Sequence, residues 1–168
     1  MLELDRYVVD KPVLSLRGRY LIQDENGREL GVALKKAVTD KVHVLMDDSS
    51  EEFARIRPEK GFRRSFMIFD AQGQIIAIMK QKLLKFLGNE FWFEDPFGDE
   101  KWRLIREFGN NEHLLYDNEK LVKARISKIK KTFGHKYAVR IESPSMNRLL
   151  VLAATICVDL AESSSSNS

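Results

Sequence analysis

The stretch Asn147–Glu162, NRLLVLAATICVDLAE, constrains the fold more than any other part of the chain. Within Leu149–Val158 the only polar residue is Thr155, so a helix here is apolar on every side. Such a helix is either enclosed by its own protein or lies in a membrane. Ten residues rise only about 15 Å, whereas a membrane span needs about 20 apolar residues. The sequence therefore predicts a short helix that the rest of the protein surrounds.

The start of this helix has two candidate N-caps, Ser145 and Asn147, just after Pro144. The charges oppose the helix dipole, because Arg148 lies near the first turn and acidic residues lie near the last. Each mismatch costs ~0.3–1 kcal/mol, whereas burial of one large aliphatic side chain contributes ~1.5–3 kcal/mol. We therefore expect packing, rather than capping, to hold the helix.

Composition is typical of a single-domain globular protein. The 168 residues suffice for one core, and a net charge of +3 is too small to identify a ligand by itself. The N-terminus lacks the pattern of a signal peptide, and no stretch is long enough to span a bilayer. We predict one domain over residues 1–162, a disordered tail over 163–168, and a cytoplasmic location. The one cysteine, Cys157, excludes an internal disulfide and is expected to be an inert core thiol.

A hairpin-like unit recurs along the chain. Tyr20–Gly27 and Phe66–Gly73 both read aromatic-x-Ile-x-Asp-x-x-Gly, and each precedes a second apolar run. Phe91–Gly98 and His113–Lys120 are looser copies. In each copy we expect the aspartate to bond to the backbone of its own turn rather than to form a carboxylate site; these residues are Asp24, Asp70, Asp95 and Asp117. Four such hairpins predict a meandering antiparallel β architecture.

Other stretches add strand candidates, among them Arg6–Leu16, Val38–Met46 and Lys136–Ile141. The polar stretch Asp47–Lys60 is expected to be the longest loop, with a short helical turn after Ser50. About twelve strands result, and so long a sheet loses its exposed edges by closing into a barrel.

A barrel of that width is too wide for strand side chains alone to fill. An all-apolar helix fits the space, and an enclosed helix needs such walls. The predicted fold is therefore mainly β: a closed antiparallel barrel of about twelve strands around a central hydrophobic C-terminal helix. The main rival is a smaller barrel capped by a C-terminal helix, as in pleckstrin-like modules, but that helix should be amphipathic.

The repeated pattern at Tyr20–Gly27 and Phe66–Gly73, with the apolar helix at Leu149–Leu160, resembles the LURP-one-related family. The resemblance covers roughly residues 5–162. It implies the tubby C-terminal-like fold, a twelve-stranded barrel around a hydrophobic helix, since that family belongs with tubby domains and phospholipid scramblases. Tubby domains bind phosphoinositides through basic surface residues, so the resemblance also implies a binding role. Calcium-dependent scrambling is not carried over, because the chain lacks a D-x-D-x-D-G loop and the scramblases' Pro-rich segment and cysteine cluster.

Signals for catalysis or cofactor binding are poor. His43, His113 and His135 are far apart in sequence, and a single cysteine does not complete a zinc site. Nucleophile-elbow, Walker and dinucleotide-binding patterns are missing. We therefore predict no catalytic residue, no metal and no cofactor, and a protein that is not an enzyme. An enzyme or small-ligand carrier is disfavoured because the helix occupies the space that a ligand would need.

The basic residues between positions 120 and 140 are the one arguable ligand site. A phase slip near Ser127–Lys128 is expected to turn Ile129 inward and Lys130 outward. The predicted anion-binding or lipid-binding residues are Lys123, Arg125, Lys128, Lys130, Lys136 and Arg140; a second, smaller basic group is Lys80, Lys82 and Lys85. Like charges on neighbouring strands repel unless an anion offsets them. Two interpretations stay open: an ordinary solvated exterior and an anion-binding patch.

Two functional hypotheses follow from this face. The favoured one is a non-enzymatic module without a transmembrane segment, bound peripherally to anionic phospholipid or phosphoinositide headgroups. The alternative uses the same face to bind nucleic acid or a protein partner. Nucleic acid is the less favoured ligand, because Phe91 and Phe93 are expected to line the core, with Trp92 on the opposite face, rather than to stack on bases.

Overall fold

The computed structural model describes residues 1–14, 18–36, 41–60, 65–82, 90–107 and 109–165, without the side chains of residues 164 and 165. These residues form twelve strands and one helix. The strands are β1 (Arg6–Lys11), β2 (Tyr20–Gln23), β3 (Glu29–Lys35), β4 (His43–Asp47), β5 (Glu52–Pro58), β6 (Ser65–Asp70), β7 (Ile75–Lys82), β8 (Glu90–Glu94), β9 (Glu100–Arg106), β10 (Glu112–Asp117), β11 (Val122–Ile129) and β12 (His135–Ile141). The helix, α1, spans Arg148–Ser165.

The sheet closes on itself. Each strand pairs antiparallel with the next strand of the chain, and β1 pairs with β12. The closing register runs from Arg6 opposite Arg140 to Lys11 opposite His135. Closure removes the unpaired backbone edges that an open sheet of this size exposes. The predicted closed barrel of twelve strands is confirmed.

The helix α1 lies inside the barrel, as its composition predicts. Its residues from Leu150 to Val158 are buried and share one core with the inward side chains of the strands. Asn147 is the N-cap, because its Oδ1 accepts a hydrogen bond from the backbone N–H of Leu150 at 3.3 Å. Cys157 lies in the core as predicted, and burial raises the pKa of its thiol. The helix ends at Ser165, three residues later than expected.

Buried alanines leave the room that α1 needs. Four strands carry an alanine on the inward face, namely Ala33 in β3, Ala54 in β5, Ala77 in β7 and Ala124 in β11. A methyl group reaches less far into the barrel than the aromatic and branched side chains at other inward positions, such as Phe91 and Ile22. Because interiors are packed to high density, short side chains on the wall match a helix at the centre.

The meander gives the barrel two unlike ends. Five hairpin turns, each beginning at an aspartate, lie at one end, here named the aspartate end. At the other, here named the loop end, β1, β3, β5, β7, β9 and β11 end and β2, β4, β6, β8, β10 and β12 begin. Because β12 runs toward the aspartate end, α1 begins there at Arg148 and carries Asp159 and Glu162 to the loop end.

The aspartates build the turns as predicted. In each turn one carboxylate oxygen accepts hydrogen bonds from the backbone N–H groups two and four residues further on, at 2.9–3.0 Å. The five residues are Asp24, Asp47, Asp70, Asp95 and Asp117. The third residue after the aspartate has a positive φ, which glycine adopts without strain in three of the turns. Ser50 and Lys120 occupy that position at 64° and 62° in the other two.

The prediction that Asp47–Lys60 forms the longest loop, with a helical turn after Ser50, is wrong. Asp47 begins a fifth turn of the same kind, and Glu52–Pro58 is strand β5. The repeat is hard to recognise because Ser50 replaces the glycine and because only Ala54 and Ile56 are fully buried in this strand. The neighbouring strand β4 begins at His43, later than the predicted start at Val38, and residues 37–40 lie outside the described part.

Candidate functional site

Four of the six predicted basic residues share the outer surface of β11 and β12, here named the outer basic face: Lys123, Arg125, Lys136 and Arg140. On both strands the alternate residues are buried, for example Ile126 and Val139, so these cations face away from the core. Arg125 and Arg140 are directly opposite each other across the strand pair. The predicted face therefore exists, and it brings like charges together on neighbouring strands.

Carboxylates of the protein itself offset most of this charge. Glu142 accepts a hydrogen bond from Arg125 Nε at 2.9 Å and forms an ion pair with Arg140 Nε at 3.2 Å. Arg125 also reaches Glu112 at 3.6 Å, and Lys123 pairs with Asp117 at 3.1 Å. Because internal acids relieve the repulsion, this part of the face needs no external anion.

Lys128 is not on the outer face. The pairing of β11 with β12 is continuous from Ala124 to Ile129, and the register shift lies instead at Leu115–Tyr116 in β10. The predicted phase slip near Ser127–Lys128 is therefore wrong, since the extra residue sits at the opposite end of β11. Lys128 points into the barrel, where its Nζ lies 3.1 Å from Glu162 Oε2, and Ile129 is exposed rather than inward.

Unbalanced positive charge remains at the loop end of β11 and β12. Three lysines lie there, here named the loop-end lysines: Lys130, Lys131 and Lys136. Lys131 pairs with Asp10 at 2.7 Å, and Asp10 is also the strand partner of Lys136. Among the carboxylates that the structure describes, none forms an ion pair with Lys130 or Lys136. These two cations therefore have the weakest internal compensation of the six predicted residues.

The second basic group does not form a comparable surface in the described residues. Lys80 pairs with Glu94 at 2.9 Å, and Trp92 Nε1 donates to the same carboxylate group at 3.0 Å. These hydrogen bonds hold the pKa of Glu94 below its usual range. Lys82 is exposed at the end of β7, and Lys85 lies outside the described residues. Phe91 and Phe93 line the core as predicted.

A buried polar cluster at the loop end was not recognised from the sequence. Asp159 of α1 is fully buried and accepts hydrogen bonds from Tyr20 at 2.7 Å and Tyr137 at 2.9 Å. Lys11 Nζ lies 3.1 Å from the same carboxylate, which His135 Nδ1 also contacts. Burial opposes the charge of Asp159, but the Tyr20 hydroxyl and Lys11 hold the pKa of this carboxyl below its usual range.

The two tyrosines of this cluster stay protonated. Burial, followed by the charge of Asp159, raises the pKa of Tyr20 and of Tyr137 above the ordinary value. Four strand residues thus converge on one helix residue, which ties the C-terminal part of α1 to β1, β2 and β12. The sequence does contain a signal for this cluster, namely an aspartate at the end of an apolar helix. Without its strand partners, this aspartate is interpreted only as a charge that opposes the helix dipole.

Two histidines, His43 and His113, are buried near the same end. Burial lowers the pKa of His43 and of His113 to about 4, so both are neutral near pH 7. Neither ring nitrogen of His113 has a hydrogen-bond partner among the described residues. The described part of the chain also holds no group of three His, Cys, Asp or Glu side chains placed to bind a metal ion.

A shallow groove lies on the opposite side of the barrel, beside the turn from β6 to β7. Its volume is about 330 Å³, and its lining includes Arg55, Arg57 and Phe69. Arg55 is held by Glu52 at 2.9 Å, and the Arg57 guanidinium lies 5.5 Å from the centre of the Phe69 ring. Internal contacts thus engage both arginines of the groove.

Comparison with known proteins agrees with this architecture. Among the described residues no helix is both long and apolar enough to pass through a membrane. No curated protein matches the chain. An X-ray structure of a protein from Arabidopsis thaliana has a similar fold, with a TM-score of 0.64 and 14% sequence identity over 92% of this chain and 91% of that chain. The sequence matches the LURP-one-related family over residues 5–159, from the first strand to the buried aspartate of α1, and the chain therefore belongs to the LURP-one-related family.

Proposed function

We propose that the protein is a non-enzymatic module that binds the headgroups of anionic phospholipids at a membrane surface through its loop-end lysines. The observation that carries the proposal is the charge balance at this end, where three lysines have one described carboxylate, Asp10, within ion-pair distance. Elsewhere on the outer basic face every arginine has an acidic partner. An external anion therefore gains most at Lys130 and Lys136.

The strength of such binding follows from the number of cations. A lysine near an anionic bilayer contributes ~1 kcal/mol, so a few lysines give weak attachment that salt reduces. Lys130 is exposed, so its ammonium reaches a headgroup without a change in the fold. Lys128 is oriented toward Glu162 inside the barrel and is no longer among the proposed headgroup ligands.

Two features of the barrel interior support a binding role rather than catalysis: the buried carboxylate is fully engaged by other side chains, and the centre is filled by an apolar helix. The carboxylate of Asp159 already accepts from two tyrosines and pairs with Lys11, so it is not available as a base or nucleophile. The helix α1 fills the centre of the barrel with apolar side chains. A module of the LURP-one-related type would then act by the surface it presents.

The test is cosedimentation with vesicles of phosphatidylcholine alone and of phosphatidylcholine mixed with phosphatidylserine, at low and moderate salt. We expect binding to the anionic vesicles only, weakened by salt, and not displaced by a short DNA duplex. Phosphoinositide-containing vesicles then establish whether headgroup charge or headgroup structure sets the affinity. Displacement by DNA would contradict the lipid assignment and favour nucleic-acid binding by the same cations.

The matched variants remove equal charge from the two ends of the barrel. In Lys130→Gln/Lys136→Gln, loss of ~2 kcal/mol predicts roughly 30-fold weaker vesicle binding. The control is Arg28→Gln/Lys120→Gln, which removes two exposed cations from turns at the aspartate end and should change binding little. Equal losses in both variants would mean that total charge, rather than the loop end, attracts the vesicle.

A further inference from the structure

Large apolar side chains are exposed where β1 and β11 end. Leu14 is 91% exposed, Phe133 is 71% exposed, Val13 is 58% exposed and Ile129 is 39% exposed. Single exposed apolar residues are ordinary on a protein surface. These four belong to two connections of the barrel and one strand terminus, all at the loop end, and are here named the apolar tip.

The members of the apolar tip are neighbours in space. The strands β1, β12 and β11 are adjacent in the barrel, with Lys11 opposite His135 and Ile129 opposite Lys136. The two connections also touch at Gly134, where a Cβ atom would overlap the carbonyl oxygen of Lys11 and lie 3.4 Å from Val13 Cγ2. The contact at Gly134, the residue after Phe133, therefore brings the connection that holds Val13 and Leu14 next to the one that holds Phe133.

Cations border the apolar tip. Lys130 and Lys131 lie three and two residues before Phe133 in the same connection, and Lys136 is the strand partner of Ile129. Apolar side chains surrounded by lysines match the boundary between acyl chains and anionic headgroups, because the apolar groups enter the hydrocarbon while the ammonium groups remain among the phosphates. The charge pattern thus argues for a bilayer as the partner of this surface.

The aspartate end offers an internal comparison. Phe97 is also 91% exposed, in the turn that Asp95 begins. Its turn, however, is one of five at this end that are each organised by an aspartate, and Asp99 follows two residues later. An anionic membrane repels such a surface, so exposure of an aromatic side chain alone does not distinguish the two ends, whereas the surrounding charge does.

We infer that the apolar tip inserts into the interfacial layer of an anionic bilayer, so that the barrel binds the membrane with its loop end and directs its aspartate end away from it. The inference rests on the proposed function and adds to it an orientation and an apolar contribution to binding. Insertion predicts a component of binding that salt does not remove, since burial of apolar surface is not screened by ions.

The experiment places an environment-sensitive, thiol-reactive fluorophore at either end. The one native cysteine, Cys157, is fully buried, so an introduced cysteine is labelled selectively. With anionic vesicles we expect the label on Phe133→Cys to brighten and shift to the blue, and the label on Phe97→Cys to remain unchanged. In parallel, Leu14→Ser/Phe133→Ser should weaken vesicle binding about tenfold, while Phe97→Ser leaves it unaltered.

The outcomes separate this inference from the proposed function. If the wild-type protein binds no anionic vesicle, the proposed function fails and the inference fails with it. If the protein binds, but the Phe133→Cys label is unchanged and Leu14→Ser/Phe133→Ser binds like wild type, only the inference is overturned. A response of the Phe97→Cys label instead of the Phe133→Cys label would reverse the orientation and would also overturn it.

Discussion

The two ends of the barrel are built by different physical means. At the aspartate end, each turn is closed by an aspartate that bonds to backbone N–H groups of the same turn, within four residues. At the loop end, Asp159 bonds to residues as far as 148 positions away along the chain. The first kind of structure is local and exposed, whereas the second is long-range and buried.

The turns therefore determine the shape of the barrel, whereas the cluster around Asp159 anchors the helix α1 within it. The local turns fix where one strand ends and the next begins, and each contributes independently of the others. The cluster around Asp159 connects the helix to strands from both ends of the sequence, so its loss affects the whole barrel at once. We therefore expect substitutions at the loop end to be more costly and to alter the surface that carries the apolar tip.

The largest expected effect comes from removing the buried carboxylate. Asp159→Ala leaves Lys11 and the hydroxyls of Tyr20 and Tyr137 without their shared acceptor. Breaking a buried ion pair by deleting one partner costs about 3–5 kcal/mol. Urea denaturation of the variant measures this loss as a lower free energy of unfolding. The milder Asp159→Asn keeps the shape and should lose less.

The matched control lies at the other end of the same helix. Asp5 pairs with Arg148 at 2.6 Å, but its side chain is 69% exposed. Exposed ion pairs contribute only about 0–1 kcal/mol, so Asp5→Ala should scarcely change the unfolding midpoint. Comparable losses in Asp5→Ala and Asp159→Ala would refute the view that α1 is anchored chiefly at its C-terminal part.

The next largest effect is expected on lowering the pH, because the buried histidines at the loop end should lose their contribution to stability at a higher pH than the turn aspartates. Because burial lowers the pKa of His43 and His113 to about 4, the unfolded chain binds their protons first as pH falls. Their contribution to stability is complete above pH 6.5 and is lost as pH falls toward 4. One such histidine accounts for about 2 kcal/mol between about pH 7.5 and about pH 5.

The variant that tests this is His113→Leu, whose side chain cannot be protonated. We expect its free energy of unfolding to fall less than that of the wild type when the pH is lowered over that range. At the aspartate end, hydrogen bonds from the Leu121 backbone and Lys123 hold the pKa of Asp117 below the usual 3.8. That contribution to stability is lost only below this pH, so it does not explain a loss between about pH 7.5 and about pH 5. If the wild type and His113→Leu lost equal free energy of unfolding over that range, the assignment to the histidine would be wrong.

The sequence was informative wherever structure is local or composition is extreme. Alternation with an Asp-x-x-Gly turn predicts most hairpins, because both signals lie within a few residues. The apolar stretch in α1 predicts an enclosed helix, because nothing else accommodates apolar surface on all sides. The turn at Asp47 escapes this pattern because Ser50 replaces the glycine, although it adopts the same backbone conformation, and because only Ala54 and Ile56 are fully buried in the strand that follows.

The site was less predictable, because it depends on contacts between distant residues. A run of basic residues indicates a charged face, but Glu142 and Asp117 neutralise much of it and are recognisable as partners only in the folded barrel. The direction of Lys128 depends on where the strand bulge lies, and one misplaced residue reverses every side chain beyond it. The apolar tip combines residues that are over 100 positions apart in sequence.

The smallest expected difference between the two ends is the cost of replacing one glycine at each end by alanine. Gly73 at the aspartate end and Gly134 at the loop end both have φ of 78°, so alanine at either carries a left-handed strain of about 1–2 kcal/mol. No described atom lies within 4 Å of a Cβ at Gly73, whereas a Cβ at Gly134 meets the Lys11 carbonyl and lies 3.2 Å from Val13 N.

Gly134→Ala should therefore destabilise the protein by about 1–3 kcal/mol more than Gly73→Ala, because overlap with backbone adds to the shared strain. It should also weaken vesicle binding, since relief of the overlap moves the Val13 connection away from Phe133. Denaturation and cosedimentation on both variants measure the two effects separately. If the variants lose equal stability, the two connections are not packed together at Gly134; if only stability differs, the apolar tip does not depend on that contact to bind.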